Sequence, residues 1–142
     1  IVSFNMSDED IEHIMRQPWT MTSSDGGLVK MGEGKPHPRN YGAHARKLAR
    51  YVRERRVVSL EQAVRSMTSL PALVFRIADR GTLRAGAFAD VVVFDAATVR
   101  DAATYVDPHQ LAEGVAATIV NGTVVYEGGA FTDALPGRVL RR

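Results

Sequence analysis

Cysteine is absent from the 142-residue sequence, which excludes disulfide bonds and a thiolate metal site. No apolar run approaches the length of a membrane span, and no signal-peptide pattern opens the chain. These absences indicate a cytoplasmic protein without a membrane partner. What the sequence does contain, 45% hydrophobic and 24% charged residues, is ordinary for one globular domain with a core.

A strong excess of either charge is also missing. The 18 lysines and arginines are set against 16 acidic residues, which leaves a formal net charge of +2. Such a balance does not indicate a nucleic-acid partner. The most basic stretch, residues 46–56, predicts a solvated helix face. A binding module that uses this basic face is one alternative to an enzyme.

The first half of the chain alternates between helical and extended patterns. Ser7 is placed to cap a helix with an acidic first turn, which stops before Pro18. The apolar run from Trp19 to Thr22 then predicts a buried strand, and residues 41–56 predict an amphipathic helix. A strand that follows a helix after a short link is typical of a repeating β/α unit.

Residues 59–77 predict two further helices. Ser59 and Gln62 match the ends of a capping box at the start of the first helix. Pro71 suits the first turn of the second, which is expected to run to Ile77. The buried face of the first helix is expected to contain Leu60, Ala63, Val64 and Met67.

The later part of the chain changes to short strands and glycine-rich turns. The β-branched run 89–95 is too short for a helix and predicts a buried strand. Asn121-Gly122 separates two apolar runs and predicts a tight hairpin across residues 118–126. Phe131 is expected to open one more short strand. Residues 81–135 therefore predict part of a small all-β unit.

Asp25 lies where the predicted strand ends in small polar residues, and Gly26 and Gly27 follow it. In barrel enzymes the carboxyl ends of the strands carry the catalytic residues. The two glycines allow a sharp turn and the close approach of a ligand. Asp25 is therefore a candidate catalytic acid. The simpler interpretation is that Asp-Gly only turns the chain.

The loop of residues 26–40 is long for a mere connection, and long ordered loops are often functional. It holds His37 between two prolines, which stiffen the backbone and aim the side chains. It also holds Arg39, whose planar guanidinium suits a carboxylate, although a surface charge is its simpler role. Local spacing builds no complete metal site from the remaining histidines, which are predicted to be structural or surface residues: His13, His44 and His109.

Several motifs resemble the D-aminoacylase, or N-acyl-D-amino-acid deacylase, branch of the amidohydrolase superfamily. Ser-Asp-Gly at Asp25, together with Pro-His-Pro-Arg at residues 36–39, carries the most specific part of the resemblance. Further matching motifs follow in order along nearly the whole chain, at residues 66–72, 80–86, 89–95, 107–110 and 120–122.

The resemblance implies an α/β fold. Residues 1–80 would be the last strands and helices of a metal-dependent (β/α) barrel, and residues 81–142 the carboxyl-terminal strands of a small β-sandwich. Asp25 would be a zinc ligand and also the base that takes a proton from the attacking water and passes it to the leaving amine. Arg39 would hold the substrate's α-carboxylate, and His37, in the same covering loop, is assigned to substrate binding.

The resemblance also implies parts that are not in this sequence. The family's His-x-His pair and its other metal ligands lie upstream of Ile1. Residues 1–4 begin in mid-pattern and predict an interior strand. We therefore expect the carboxyl-terminal portion of a zinc-dependent amidohydrolase. Its parent would hydrolyse the linear C–N amide bond of small N-acyl-D-amino acids or related amides.

The chain alone is expected to be inactive and to need the amino-terminal part of the same enzyme as its partner. The alternative is a non-catalytic amidohydrolase-like scaffold or interaction module. The sequence is also compatible with a homo-oligomer.

Overall fold

The computed structural model describes residues 6–140, so the interior strand expected at residues 1–4 lies outside the described range. The helical part contains α1 (Asp8–Met15), α2 (Arg39–Arg46), a π-helical segment (Lys47–Glu54), α3 (Leu60–Met67) and α4 (Ser69–Val74). The strands are β1 (Val91–Phe94), β2 (Val115–Val120), β3 (Thr123–Glu127) and β4 (Ala130–Phe131). The chain is thus α/β with a small sheet. Of the helices described, none is both long and apolar enough to cross a membrane.

Two serines cap helices where the sequence predicts. The Ser7 hydroxyl accepts the N–H of Asp10 at 3.1 Å, and the Ser59 hydroxyl accepts the N–H of Gln62 at 3.2 Å. Both N-caps are confirmed, and each satisfies a free donor in the first turn. In a capping box the Gln62 side chain would in turn bind the backbone N–H of Ser59. Here the Gln62 side chain donates instead to the Arg16 carbonyl at 3.2 Å. That bond ties α3 to the end of α1.

The predicted amphipathic helix is confirmed, with its bounds moved. It begins at Arg39, becomes π-helical at Lys47 and ends at Glu54, and we call these two consecutive segments together the long helix. Ala45 and Leu48 on its apolar face are buried, each 8% exposed. This face packs the helix against the rest of the chain and so sets the position of Arg39.

Arginines of the basic face contact carboxylates of the chain itself. Arg46 pairs with Asp101 at 3.1 Å. Arg50 and Arg55 both pair with Asp8, at 3.0 and 2.6 Å. Much of the basic face therefore joins the long helix to α1 and to the segment after β1.

The strand predicted at residues 19–22 is wrong, because this segment is irregular in the structure. Trp19 is 70% exposed, and the N–H of Thr22 donates to the carbonyl of Ser66 in α3 at 3.0 Å. A strand needs a neighbouring strand to pair its backbone groups. Within residues 6–140 no strand lies beside this segment, so helix contacts position Asp25 instead.

The sheet is antiparallel, with the strand order β1-β2-β3-β4. The predicted hairpin is confirmed, since Val120 pairs with Thr123 across the turn. Asn121 and Gly122 have φ values of 48° and 80°, the left-handed conformation that a tight hairpin turn requires. The short strand expected to open at Phe131 is β4, which begins one residue earlier, at Ala130.

The strand predicted at residues 89–95 is present as β1, but its predicted burial is wrong. Val92 and Val93 are 53% and 48% exposed. β1 is an edge strand that pairs only with β2 within the described residues. Since no second layer covers it there, its central side chains face solvent.

The predicted buried face of α3 is only partly correct. Ala63 is fully buried, whereas Leu60, Val64 and Met67 are only partly buried. Ser66, which apolar periodicity does not select, is 4% exposed. The helix expected to contain Pro71 is α4, and it ends at Val74.

The core joins the helical part to the segment that follows β1. Val99 of that segment is 1% exposed and packs with apolar residues of the helices and their connections. The buried members of this cluster are Ala45, Leu48, Val57, Val58, Ala63 and Val99. The core therefore fixes the long helix against the sheet-bearing part of the chain.

Candidate active site

Asp25 lies in the irregular segment between α1 and α2, with a left-handed backbone φ of 48°. Aspartate adopts this conformation more readily than most residues. The Ser23 hydroxyl accepts the N–H of Asp25 at 3.3 Å, and the Ser24 hydroxyl accepts the N–H of Gly26 at 3.2 Å. These local bonds hold a turn that presents the carboxylate, which is 81% exposed.

Arg39, the first residue of α2, forms an ion pair with Asp25. Its Nη2 lies 2.8 Å from Asp25 Oδ2, and its side chain is 42% exposed. The structure therefore brings together the predicted acid and the predicted carboxylate-binding arginine. In this arrangement the guanidinium binds a carboxylate of the chain itself, as its planar geometry favours.

His37 lies beside Arg39, and both of its ring nitrogens contact protein groups. Nδ1 accepts the backbone N–H of Arg39 at 3.1 Å, which satisfies a free donor at the start of α2. Nε2 lies 3.2 Å from the Tyr105 hydroxyl, and the two rings meet edge to face with centroids 5.1 Å apart. Partial burial, and then the Arg39 charge, lower the pKa of His37 despite the opposing effect of Asp25. The neutral imidazole, which can accept at Nδ1, is thereby favoured.

His109 anchors the middle of the 26–40 loop. Its Nδ1 lies 2.8 Å from the Tyr41 hydroxyl and 3.3 Å from the N–H of Gly32, and its Nε2 lies 3.1 Å from the Gly34 carbonyl. Because a carbonyl only accepts, this pattern requires a proton on Nε2 and none on Nδ1. His109 thus has the structural role predicted for it, and it holds the loop that contains His37.

Lys47 is a residue that the sequence patterns missed. They place it on the solvated basic face, and this is wrong, because Lys47 is only 6% exposed. Its Nζ donates to Thr22 Oγ1 at 2.6 Å and to Ser66 Oγ at 2.8 Å. Burial lowers the pKa of its amine. The only sequence signal was its position next to the buried Leu48.

A cavity of ≈ 270 Å³ adjoins the candidate site. Ser24 and Arg39 line it, with apolar side chains from α2, β1 and the start of β2. A larger cavity of ≈ 510 Å³ lies against α4 and touches neither Asp25 nor Arg39. The smaller cavity is therefore the one that a molecule bound at Arg39 would enter.

Asp25 offers one oxygen ligand for a metal ion. Its Oδ2 contacts Arg39, and its Oδ1 has no hydrogen bond from residues 6–140. Carboxylate oxygens are normal zinc ligands, but a protein zinc centre takes three or four ligands. In the part of the chain that is described, no three His, Asp or Glu side chains lie close enough together to hold a metal. Asp25 fits as one ligand of a centre that other residues would have to complete.

The chain belongs to the amidohydrolase family, whose model matches residues 4–126. It is similar to the N-acyl-D-glutamate deacylase of Alcaligenes xylosoxydans xylosoxydans, with 45% identity over 141 residues. That alignment covers 99% of this chain and 28% of the relative, so the chain spans little more than a quarter of the relative's length. The resemblance seen in the sequence motifs is confirmed.

Solved structures of the same class share this fold. A D-aminoacylase crystal structure matches with a TM-score of 0.90 and 42% identity, over 96% of this chain and 28% of that one. The N-acyl-D-glutamate deacylase of Bordetella bronchiseptica, complexed with zinc and a phosphonate mimic of the tetrahedral intermediate, matches with a TM-score of 0.86 and 46% identity. This second match also covers 96% of this chain and 28% of the solved chain.

Proposed function

We propose that this chain is the carboxyl-terminal portion of a zinc-dependent amidohydrolase that hydrolyses the amide bond of N-acyl-D-amino acids or related amides. The observation that carries the proposal is the Asp25–Arg39 pair, which joins an acid and a carboxylate-binding group at 2.8 Å. The pair lies in a chain that is 45% identical to a deacylase acting on N-acyl-D-glutamate. The parent protein is proposed to be cytoplasmic, as the absence of cysteine favours.

In this proposal residues 1–80 belong to the last part of a (β/α) barrel. Residues 81–142 supply carboxyl-terminal strands of a small β-sandwich. The high structural similarity to D-aminoacylase supports this division, as does the antiparallel sheet of β1 to β4 in the second part.

Zinc is the proposed cofactor, because the similar Bordetella bronchiseptica enzyme is complexed with it. When bound, zinc polarises the attacking water and the substrate carbonyl. Asp25 would supply one ligand, and residues outside this chain would supply the others. An exposed carboxylate with an oxygen to offer suits that role.

Asp25 is proposed to move the proton in the reaction. Its carboxylate takes a proton from the water that attacks the amide carbonyl, and it gives that proton to the nitrogen as the C–N bond breaks. The products are a carboxylate and a free amino acid. A carboxylate that is held by a local turn and exposed to solvent can perform both transfers.

Arg39 is proposed to bind the α-carboxylate of the substrate. A substrate carboxylate would take the place that Asp25 Oδ2 now occupies, which would release Asp25 for proton transfer. His37 would act in substrate binding by holding the backbone of Arg39, since both of its ring nitrogens contact protein groups.

Hydrolysis by the full-length parent protein tests the proposal. With zinc bound, it should release free amino acid from N-acetyl-D-glutamate or N-acetyl-D-methionine and not from the L-enantiomers. A chelator should abolish this activity, and zinc should restore it. The 142-residue chain alone should show no hydrolysis and retain no stoichiometric zinc. A zinc-loaded parent that hydrolyses no N-acyl amino acid would leave the non-catalytic scaffold as the better interpretation.

A further inference from the structure

We propose that Lys47 is a positioning residue, whose amine fixes the segment that carries Asp25 by binding the hydroxyls of Thr22 and Ser66. The inference rests on the proposed function of Asp25. The inference goes beyond that function because Lys47 contacts neither Asp25 nor the residues proposed to bind substrate. Lys47 lies in the long helix, which follows the 26–40 loop.

The Lys47 side chain is buried. Lys47 is 6% exposed, and among residues 6–140 it has no carboxylate partner. Burying a charged or strongly polar amine without an opposite charge disfavours folding, and an apolar side chain of similar length is often at least as stable there. Stability alone therefore does not account for a lysine at this position.

Three contacts hold Thr22 in place. Its hydroxyl accepts from Lys47 Nζ at 2.6 Å and lies 3.2 Å from Ser66 Oγ. Its backbone N–H donates to the Ser66 carbonyl at 3.0 Å. Thr22 is thereby joined at once to the π-helical segment and to α3.

Ser66 is the fixed end of this arrangement. Its hydroxyl donates to the Ala63 carbonyl at 2.7 Å, which leaves its lone pairs for Lys47 and Thr22. Ser66 is 4% exposed and Ala63 is fully buried. The amine therefore connects Thr22 to a rigid part of the core.

No strand pairs with residues 19–25 in the described part of the chain, so no ladder of backbone bonds sets their direction. Between Thr22 and Asp25 only the local turn at Ser23 and Ser24 intervenes. On the amino-terminal side of Asp25, the cluster of Lys47, Thr22 and Ser66 is therefore the nearest fixed point. On the other side Arg39 contacts the Asp25 carboxylate and Asn40 Nδ2 donates to the Gly27 carbonyl at 3.2 Å.

The helix geometry agrees with a special role for Lys47. The π-helical segment begins at this residue. π-Helical turns are rare, and they occur frequently at functional sites.

Lys47→Met in the full-length parent protein tests the inference, because it removes the amine and keeps an unbranched chain. Arg138→Met is the matched control, since it removes one positive charge from an exposed position outside the 26–40 loop and outside the candidate site. Three quantities are measured at equal zinc content: the urea midpoint of unfolding, deuterium uptake in peptides covering residues 18–26, and kcat with KM.

Lys47→Met should leave the urea midpoint unchanged or raise it, and it should increase deuterium uptake in the 18–26 peptides. It should also lower kcat by up to about 100-fold, the effect expected when a reacting group is displaced by about an ångström. Arg138→Met should change none of these. A lower midpoint with unchanged kcat and unchanged uptake would show that Lys47 has only a packing role.

Thr22→Val is a second variant, used in case Lys47→Met does not fold. It removes one hydroxyl and keeps the side-chain shape. It should produce the same rise in uptake and the same fall in kcat, and normal values for both would overturn the inference. If the parent hydrolyses no N-acyl amino acid, the proposed function fails. The deuterium uptake of the two variants then still decides whether Lys47 positions the segment.

Discussion

Replacing the two members of the Asp25–Arg39 pair should separate activity from stability. The pair lies at the surface, with side chains 81% and 42% exposed, and such pairs contribute about 0.2–1 kcal/mol. Asn tolerates the left-handed backbone of position 25 as well as Asp does. Asp25→Asn and Arg39→Ala should therefore each lower the free energy of unfolding by no more than about 1 kcal/mol.

The effects on catalysis should be much larger. A group that transfers protons typically contributes about 100- to 10,000-fold, so Asp25→Asn should lower kcat at least 100-fold, or about 2.7 kcal/mol in the activation barrier. A charge-assisted hydrogen bond contributes about 1.5–3 kcal/mol, so Arg39→Ala should raise KM about 10- to 150-fold. The two variants should differ in which kinetic constant changes.

Steady-state kinetics and urea unfolding, both at equal zinc occupancy, are the measurements. Arg46→Ala is the matched control, because Arg46 lies on the same helix, has a half-exposed side chain and also forms an ion pair, with Asp101 at 3.1 Å. It should leave kcat and KM near those of the parent. A normal kcat in fully metallated Asp25→Asn would show that Ser-Asp-Gly only turns the chain.

Three further predictions concern stability and the loop. Gly114→Ala should lower the free energy of unfolding, measured by urea titration, by at least about 2 kcal/mol. The reason is that Gly114 has a φ of 78° and that a Cβ there would lie 2.5 Å from the Val99 backbone. A loss below about 1 kcal/mol would contradict this geometry. Burial lowers the pKa of Lys47 in the folded state. At pH values between that lowered pKa and the unfolded-state value of about 10.4, the unfolded chain binds more protons than the folded chain. The free energy of unfolding should therefore rise with pH across this range. Unfolding curves of Lys47→Met should lack that rise. His109→Ala removes two contacts to the 26–40 loop, at Gly32 and Gly34, and one to Tyr41 of α2, so deuterium uptake in residues 27–36 should increase. Unchanged uptake would show that the loop is held elsewhere.

The sequence by itself determined the features that depend on neighbouring residues. Helix caps at Ser7 and Ser59 follow from a hydroxyl and the free N–H groups within one turn of it. The Asn121-Gly122 hairpin follows from a backbone conformation that these two residues adopt readily. The same short motifs also predicted the family that the comparisons confirm.

Only the tertiary structure decided the features that depend on distant partners. The irregular form of residues 19–22 and the exposure of β1 follow from which strands and layers lie beside them, and no local pattern contains that information. Lys47 matches the basic residues around it in sequence, yet Thr22 and Ser66 approach it from other parts of the chain and make its burial tolerable. Arg39 reaches Asp25 because the core packing of the long helix sets the direction of its first turn.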